Sequence, residues 1–201
     1  MDIFKIYLQL GYQHILDFGG LDHILFLVVL SAVYKASEWK KVVLLATAFT
    51  LGHSLTLGLA AFDIIRFSPK VIELLIPLTI LLTAIYNCLF HFEGIKNYFF
   101  SKINKKHRVN YLFAAFFGLI HGMGFSNFFR SAAMPGEDGI LIQQLLAFNI
   151  GVEIGQFLII GVILLLAWFS FQKLKIKHSY WNWFFSGIAI IASVYMIIER
   201  I

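Results

Sequence analysis

Six nearly uncharged stretches of about 20 residues follow one another along the chain, at 14–34, 42–62, 71–91, 111–129, 141–169 and 181–198. A helix of that length crosses the hydrocarbon core of a bilayer. In lipid, only helices and closed barrels satisfy every backbone N–H and C=O. The chain is therefore expected to be an all-α integral membrane protein with six transmembrane helices. Composition agrees, because 60% apolar and 13% charged residues leave too little polar surface for a water-soluble domain of 201 residues. Residues 2–12 read as a short interfacial helix ahead of the first span. A single cysteine, Cys88, excludes an internal disulfide and a thiolate metal cluster. The first residues lack a basic stretch and a small-residue cleavage site, so no cleaved signal is expected.

Lysine and arginine set the expected orientation. The connections after spans one, three and five carry Lys35, Lys40, Lys41, Lys96, Lys102, Lys105, Lys106, Arg108, Lys173, Lys175 and Lys177, eleven cations in all. The other side carries five: Lys5, Arg66, Lys70, Arg130 and Arg200. Loops 35–41, 92–110 and 170–180 should therefore be cytoplasmic, with both termini outside, in a bacterial inner membrane. Trp181 and Trp183 suit an interfacial belt. The net charge of +5 is no nucleic-acid signal, because the basic residues sit in short loops between apolar runs. No nucleotide-binding motif is present.

Two blocks recur at nearly one offset. Ala48-Phe49-Thr50-Leu51-Gly52-His53-Ser54-Leu55 returns as Ala147-Phe148-Asn149-Ile150-Gly151-Val152-Glu153-Ile154, 99 residues on. Gly20-Leu21-Asp22-His23 returns as Gly118-Leu119-Ile120-His121, 98 residues on. The expected plan is a single membrane domain, 1–201, of two three-span halves, 1–100 and 101–201. An odd number of spans per half inverts the second against the first. Such 3+3 inverted repeats place a transporter's site at the repeat interface near mid-membrane.

The repeated blocks carry the polar groups. His23, His53, His121 and Glu153 each fall about nine to twelve residues into their spans, close to the midplane, where an isolated charge is costly. Thr50, His53 and Ser54 crowd one face of span two, and Asn149, Glu153 and Gln156 form a stripe on span five. Asp22 adjoins His23, but adjacent residues on a helix diverge by about 100°. Asp22 is thus a candidate to bind an ion directly, or to orient a histidine from another span by accepting its second N–H. His14 and Asp17 fall at the outer mouth and read as an entry relay. Nearby glycines, among them Gly19, Gly52, Gly118 and Gly151, allow close helix approach. Glu73 reads as interfacial, Asn87 as a partner for a neighbouring helix, and His91, His107 and His178 as solvated. Imidazoles with carboxylates and amides suit borderline divalent ions such as Ni2+, Co2+ and Zn2+.

The blocks Gly19–Phe26, Ala48–Leu57, Phe117–Phe125 and Phe148–Gln156 resemble the signatures of the HupE/UreJ membrane proteins, in order and spacing, across nearly the whole chain. That family is associated with hydrogenase and urease gene sets and is regarded as comprising nickel or cobalt permeases. The resemblance implies metal roles for His23, His53 and His121, with Asp22 and Glu153. It also implies importance for His14, the first histidine of the family's His-spacer-Asp-His motif. Here seven residues separate His14 from the Asp-His pair, a longer spacer than is usual.

Two metal-binding functions remain open, beside a third class, a non-catalytic membrane sensor or assembly factor. One is a secondary permease for Ni2+ or Co2+, with His14, Asp17 and Asp22 collecting the ion and His23, His53 and His121 holding it. Glu153, Asn149 and Gln156 would complete the shell, with Thr50 and Ser54 in support. Protons compete for imidazole, so uptake should fall in acid. The other is an intramembrane hydrolase of a lipid or peptide, with Zn2+ on the same histidines, Glu153 as general base and Ser54 beside it. The expected partners are the metal ion and membrane lipid, with no nucleic acid or nucleotide.

Overall fold

The computed structural model describes residues 2–17, 20–90, 106–132 and 138–201. Gly19, His91 and the basic loop as far as Lys105 lie outside the described residues. Among the described residues, seven α-helices follow in order: α1 Ile3–Leu16, α2 Leu21–Ala32, α3 Trp39–Ala61, α4 Pro69–Phe90, α5 Lys106–Ala132, α6 Asp138–Gln172 and α7 His178–Arg200. A single 3-10 turn, Ala36–Glu38, leads into α3.

The spans differ from expectation at two places. The first is not continuous over 14–34. It is a pair, α1 and α2, whose axes differ by 67°. With 14 and 12 residues, the two helices reach only about 21 and 18 Å, so neither crosses alone. Gly19 and Gly20 stand at the junction, where helix propensity is poor. The short interfacial helix expected over 2–12 is instead the body of α1, which buries Tyr7, Gly11 and Ile15. The second departure is α5, whose apolar part, Tyr111–Phe125, is short. Beyond it the sequence turns polar at Ser126, Asn127 and Arg130. Among the described residues, four helices are long and apolar enough to cross a membrane, or five with the bent pair counted as one.

Two parallel helix pairs are joined through backbone. A Cβ on Gly11 of α1 would lie 2.0 Å from the Phe148 carbonyl oxygen of α6, and one on Gly151 would lie 2.1 Å from that of Leu8. The same reciprocal contact joins α3 and α5. A Cβ on Gly118 would lie 2.0 Å from the Phe49 oxygen, and one on Gly52 2.1 Å from that of Ala115. Only glycine permits such an approach. The α3 and α6 partners in the two contacts, Phe49 and Phe148, are the residues related by the offset of 99. On the other side Gly11 takes the place of Gly118, an offset of 107, where the sequence had suggested Gly20 and an offset of 98.

The antiparallel helices α4 and α7 pack together, and side-chain hydrogen bonds tie them to α2. Asn87 Nδ2 donates to the Val29 carbonyl at 2.8 Å, and Asn182 Nδ2 donates to that of Asn87 at 3.0 Å. Pro77 lies inside α4 and has no N–H to offer the carbonyl of Glu73 four residues back. Arg200 of α7 donates to that same oxygen at 2.6 Å. The glutamate is exposed, as expected of an interfacial residue. Leucines such as Leu44, Leu51 and Leu55 face outward from α3, whereas Thr50, His53 and Thr56 are buried. This polar interior with an apolar outside suits a protein solvated by lipid.

Replacing Gly118 or Gly52 with alanine should lower the midpoint of thermal unfolding in detergent by several degrees, since forced overpacking costs about 1–3 kcal/mol or more. Gly161→Ala is the control, because nothing lies within 4 Å of its would-be Cβ. Equal midpoints for Gly118→Ala and Gly161→Ala would show that the close approach does not hold the pair.

Candidate metal site at the broken span

Four imidazoles converge where α1 ends and α2 begins. His14 lies in the last turn of α1, one turn beyond Gly11, and His23 in the first turn of α2. His53 is carried by α3, and His121 by α5, one turn beyond Gly118. The ring of His23 lies between two others, 4.6 Å from that of His14 and 4.9 Å from that of His121, centre to centre. His53 is 6.1 Å from His14 and 6.4 Å from His23. Backbone packing sets this spacing. Gly122 follows His121, and a Cβ there would lie 2.3 Å from both the His53 carbonyl oxygen and Thr56 Oγ1. Thr56 also donates across to the Leu119 carbonyl at 2.8 Å.

Among the described residues, His14, His23 and His53 each offer one ligand atom within 4.8 Å of the other two. Metal–nitrogen bonds of about 2.0–2.1 Å require ligand atoms no more than about 4.2 Å apart. A small ring rotation therefore closes the trio on one ion. His53 and His121 are fully enclosed. Among the described residues, six buried ring nitrogens at this site have no hydrogen-bond partner: Nε2 of His14 and His23, and both nitrogens of His53 and of His121. Leaving such groups unsatisfied costs about 1–3 kcal/mol each. The donor set therefore fits a cation bound through imidazole lone pairs.

The tautomer of His23 is set by Asp22. Its Oδ1 accepts from the His23 backbone N–H at 2.9 Å and lies 3.0 Å from His23 Nδ1. A proton on Nδ1 leaves the Nε2 lone pair facing the other rings. The sequence had offered Asp22 as a direct ligand or as orienter of a distant histidine, and the structure pairs it with its own neighbour. Adjacency on a continuous helix argued against that, but both residues lie in a first turn, where backbone N–H groups are free to bind a carboxylate.

The remaining sequence candidates sit around this group. His14, read as an outer-mouth residue, belongs to the trio. Asp17 is exposed at the C-cap of α1. Glu153 is not part of the trio, and its Oε1 accepts from Thr47 Oγ1 at 2.9 Å. Gln156 Oε1 accepts from Thr50 Oγ1 at 3.0 Å. These bonds make a two-rung polar ladder between α3 and α6. Ser54 donates back to the Thr50 carbonyl at 2.6 Å, and Asn149 Nδ2 to that of Leu145 at 2.8 Å. Sequence reasoning passed over Thr47, although Thr47, Thr50 and Ser54 share a face at spacings of three and four. It also passed over the aromatic walls. Phe125 lies 4.1 Å from His14, and Phe49 lies 5.3 Å from His121.

Residues 1–199 match the family described as HupE / UreJ protein. The chain belongs to the HupE/UreJ family. No curated protein and no solved structure matches it. Membership in HupE/UreJ implies nickel- or cobalt-related membrane transport, and a histidine cluster able to hold such an ion is present. As a HupE/UreJ protein with apolar helices long enough to span, the chain is an integral membrane protein.

Asp22→Asn keeps the shape but weakens the hold on His23 Nδ1–H. It should reduce Ni2+ affinity, measured by titration calorimetry on the detergent-solubilised protein, by about 10–100-fold. Wild-type affinity in this variant would remove the carboxylate from the site.

Proposed function

We propose that this protein is a permease that carries Ni2+ or Co2+ through the membrane, using imidazoles contributed by four helices. The observation that carries the reading is the trio His14, His23 and His53, whose ligand atoms come within 4.8 Å of one another inside a membrane domain. The cargo binds first to this trio, with Asp22 holding His23 in register. His23 also faces His121, 4.9 Å away. A cation therefore passes from one side of His23 to the other without ever losing all its nitrogen ligands. Asn149, Glu153 and Gln156 supply oxygen groups along the α3–α6 ladder, with Thr50 and Ser54 backing them. Asp17 stands outside this group at the mouth. Inward movement is driven by the membrane potential, about 2.3 kcal/mol per charge per 100 mV and about twice that for a divalent ion.

An inverted repeat is part of this reading. Helices α1 and α5 correspond, as do α3 and α6, and α4 and α7. The reciprocal glycine contacts, the parallel α1–α6 and α3–α5 pairs and the antiparallel α4–α7 pair support it. Helix α2 is then an extra piece, and it brings Asp22 and His23 between the halves. The single domain of two halves, 1–100 and 101–201, sits in a bacterial inner membrane, with the basic loops cytoplasmic and both termini outside. The alternative of a Zn2+ hydrolase gains nothing from the geometry, since Ser54 is bonded within its own helix and Glu153 is bonded to Thr47.

Proteoliposomes loaded with a metal-sensitive dye test the reading. His14→Ala, His23→Ala and His53→Ala should each cut Ni2+ uptake at least about tenfold, as expected from the loss of one ligand. His121→Ala should retain Ni2+ binding yet lose uptake. Undiminished uptake in all the first three variants would end the proposal. Orientation is checked separately in a Cys88→Ser background. Ser37→Cys should react with an impermeant maleimide only when the cytoplasmic face is opened.

A further inference from the structure

A cavity lies apart from the His14, His23, His53 and His121 cluster, where α2 leads into α3 and α6 leads into α7. It holds about 660 Å3 and is lined by Lys35, Ser37, Trp168, Phe171, Ile176 and His178, among others. We propose that it binds the headgroup of an anionic phospholipid from the leaflet on this side of the membrane.

Three features point to that ligand. The first is charge. The two connections that meet here, 35–41 and 172–178, carry six lysines and one carboxylate, Glu38. Glu38 is already engaged by Lys41 Nζ at 2.6 Å and by the Lys35 backbone N–H at 3.2 Å. Lys35, Lys173, Lys175 and Lys177 are all exposed. Basic pockets between membrane helices suit anionic headgroups.

The second is depth. Trp39, Trp168, Tyr180 and Trp183 all present exposed rings at this end of the bundle. Such residues settle at the level of the headgroups. A charged group in the cavity therefore lies beside lipid phosphate, while Trp168, Phe171 and Ile176 offer apolar surface to the glycerol and upper acyl carbons.

The third is local structure. Lys175 adopts a left-handed backbone conformation, φ 53°, although it is not glycine. The turn is closed by the Ile176 N–H donating to the Ser170 carbonyl at 3.1 Å, which turns Ile176 back toward the cavity. Behind Phe171, whose ring lies 5.6 Å from that of Trp181, the buried Trp181 indole N–H has no acceptor among the described residues. Helix α7 also begins here with no side-chain cap, so its first N–H groups add to the positive potential.

Native mass spectrometry of the full chain tests the assignment, after detergent extraction from vesicles of phosphatidylcholine with phosphatidylglycerol. The wild type should keep bound phosphatidylglycerol in preference to phosphatidylcholine. Lys35→Ala should reduce that retention about fivefold, and Lys35→Ala with Lys173→Ala further, as about 1 kcal/mol per basic residue implies. Lys5→Ala is the control, an exposed lysine on α1 remote from the cavity. Thermal unfolding with inorganic phosphate should match unfolding without it, whereas added phosphatidylglycerol should raise the midpoint in wild type alone. Retention in Lys35→Ala equal to wild type, equal stabilisation by inorganic phosphate, or a second copy of the chain in place of lipid would each overturn the proposal. None of these outcomes bears on Ni2+ uptake, so the two readings stand or fall separately.

Discussion

Main-chain contact at glycine holds this molecule together. Lipid is as apolar as leucine, so helices gain little by hiding leucine from it, and close approach has to supply the attraction. At Gly11 with Gly151, and at Gly52 with Gly118, the backbones meet so tightly that even a methyl group has no room. Three of the four clustered histidines stand next to these contacts. His14 follows Gly11 by three residues, His121 follows Gly118 by three, and His53 adjoins Gly52. Helix separation therefore sets ring separation, and the imidazoles come together because the backbones do.

Much of this was legible in the residue order, in kinds more than in places. Long uncharged runs announced membrane helices, and His23, His53 and His121 announced a site by the cost of placing them in lipid. The break between α1 and α2 was harder to read. Residues 14–34 are mostly apolar, and apolarity says nothing about continuity when glycines interrupt it. Two Gly-x-x-His segments, Gly11 to His14 and Gly20 to His23, lie nine residues apart; the sequence set the second beside Gly118 to His121, and it is the glycine of the first that meets α6 through backbone. Glu153 stood out by its depth in the membrane, while its bond to Thr47 depends on a helix distant in sequence.

The rest of the interior follows the same economy of polar groups. Carbonyls and hydroxyls that would be unsatisfied in lipid are answered from neighbouring helices, as Arg200 answers the oxygen that Pro77 leaves free and Asn87 answers Val29. Double-mutant measurements on membrane helices put such bonds near 0.6 kcal/mol on average, so they align helices more than they bind them. The imidazole nitrogens stand apart, because no group among the described residues answers six of them.

The 67° bend between α1 and α2 has a mechanical consequence. His14 rides near the tip of one short rod and His23 near the foot of the next, like the two jaws of a calliper. The first rod is clamped to α6, and the second leans on α4, α7 and α6 together. Sliding of α6 against the α4–α7 pair would carry the first rod with it and shift the second less, changing the gap between the jaws. Grip on an object between them would then tighten or slacken with the shape of the whole bundle, with no gate needed beyond the joint itself.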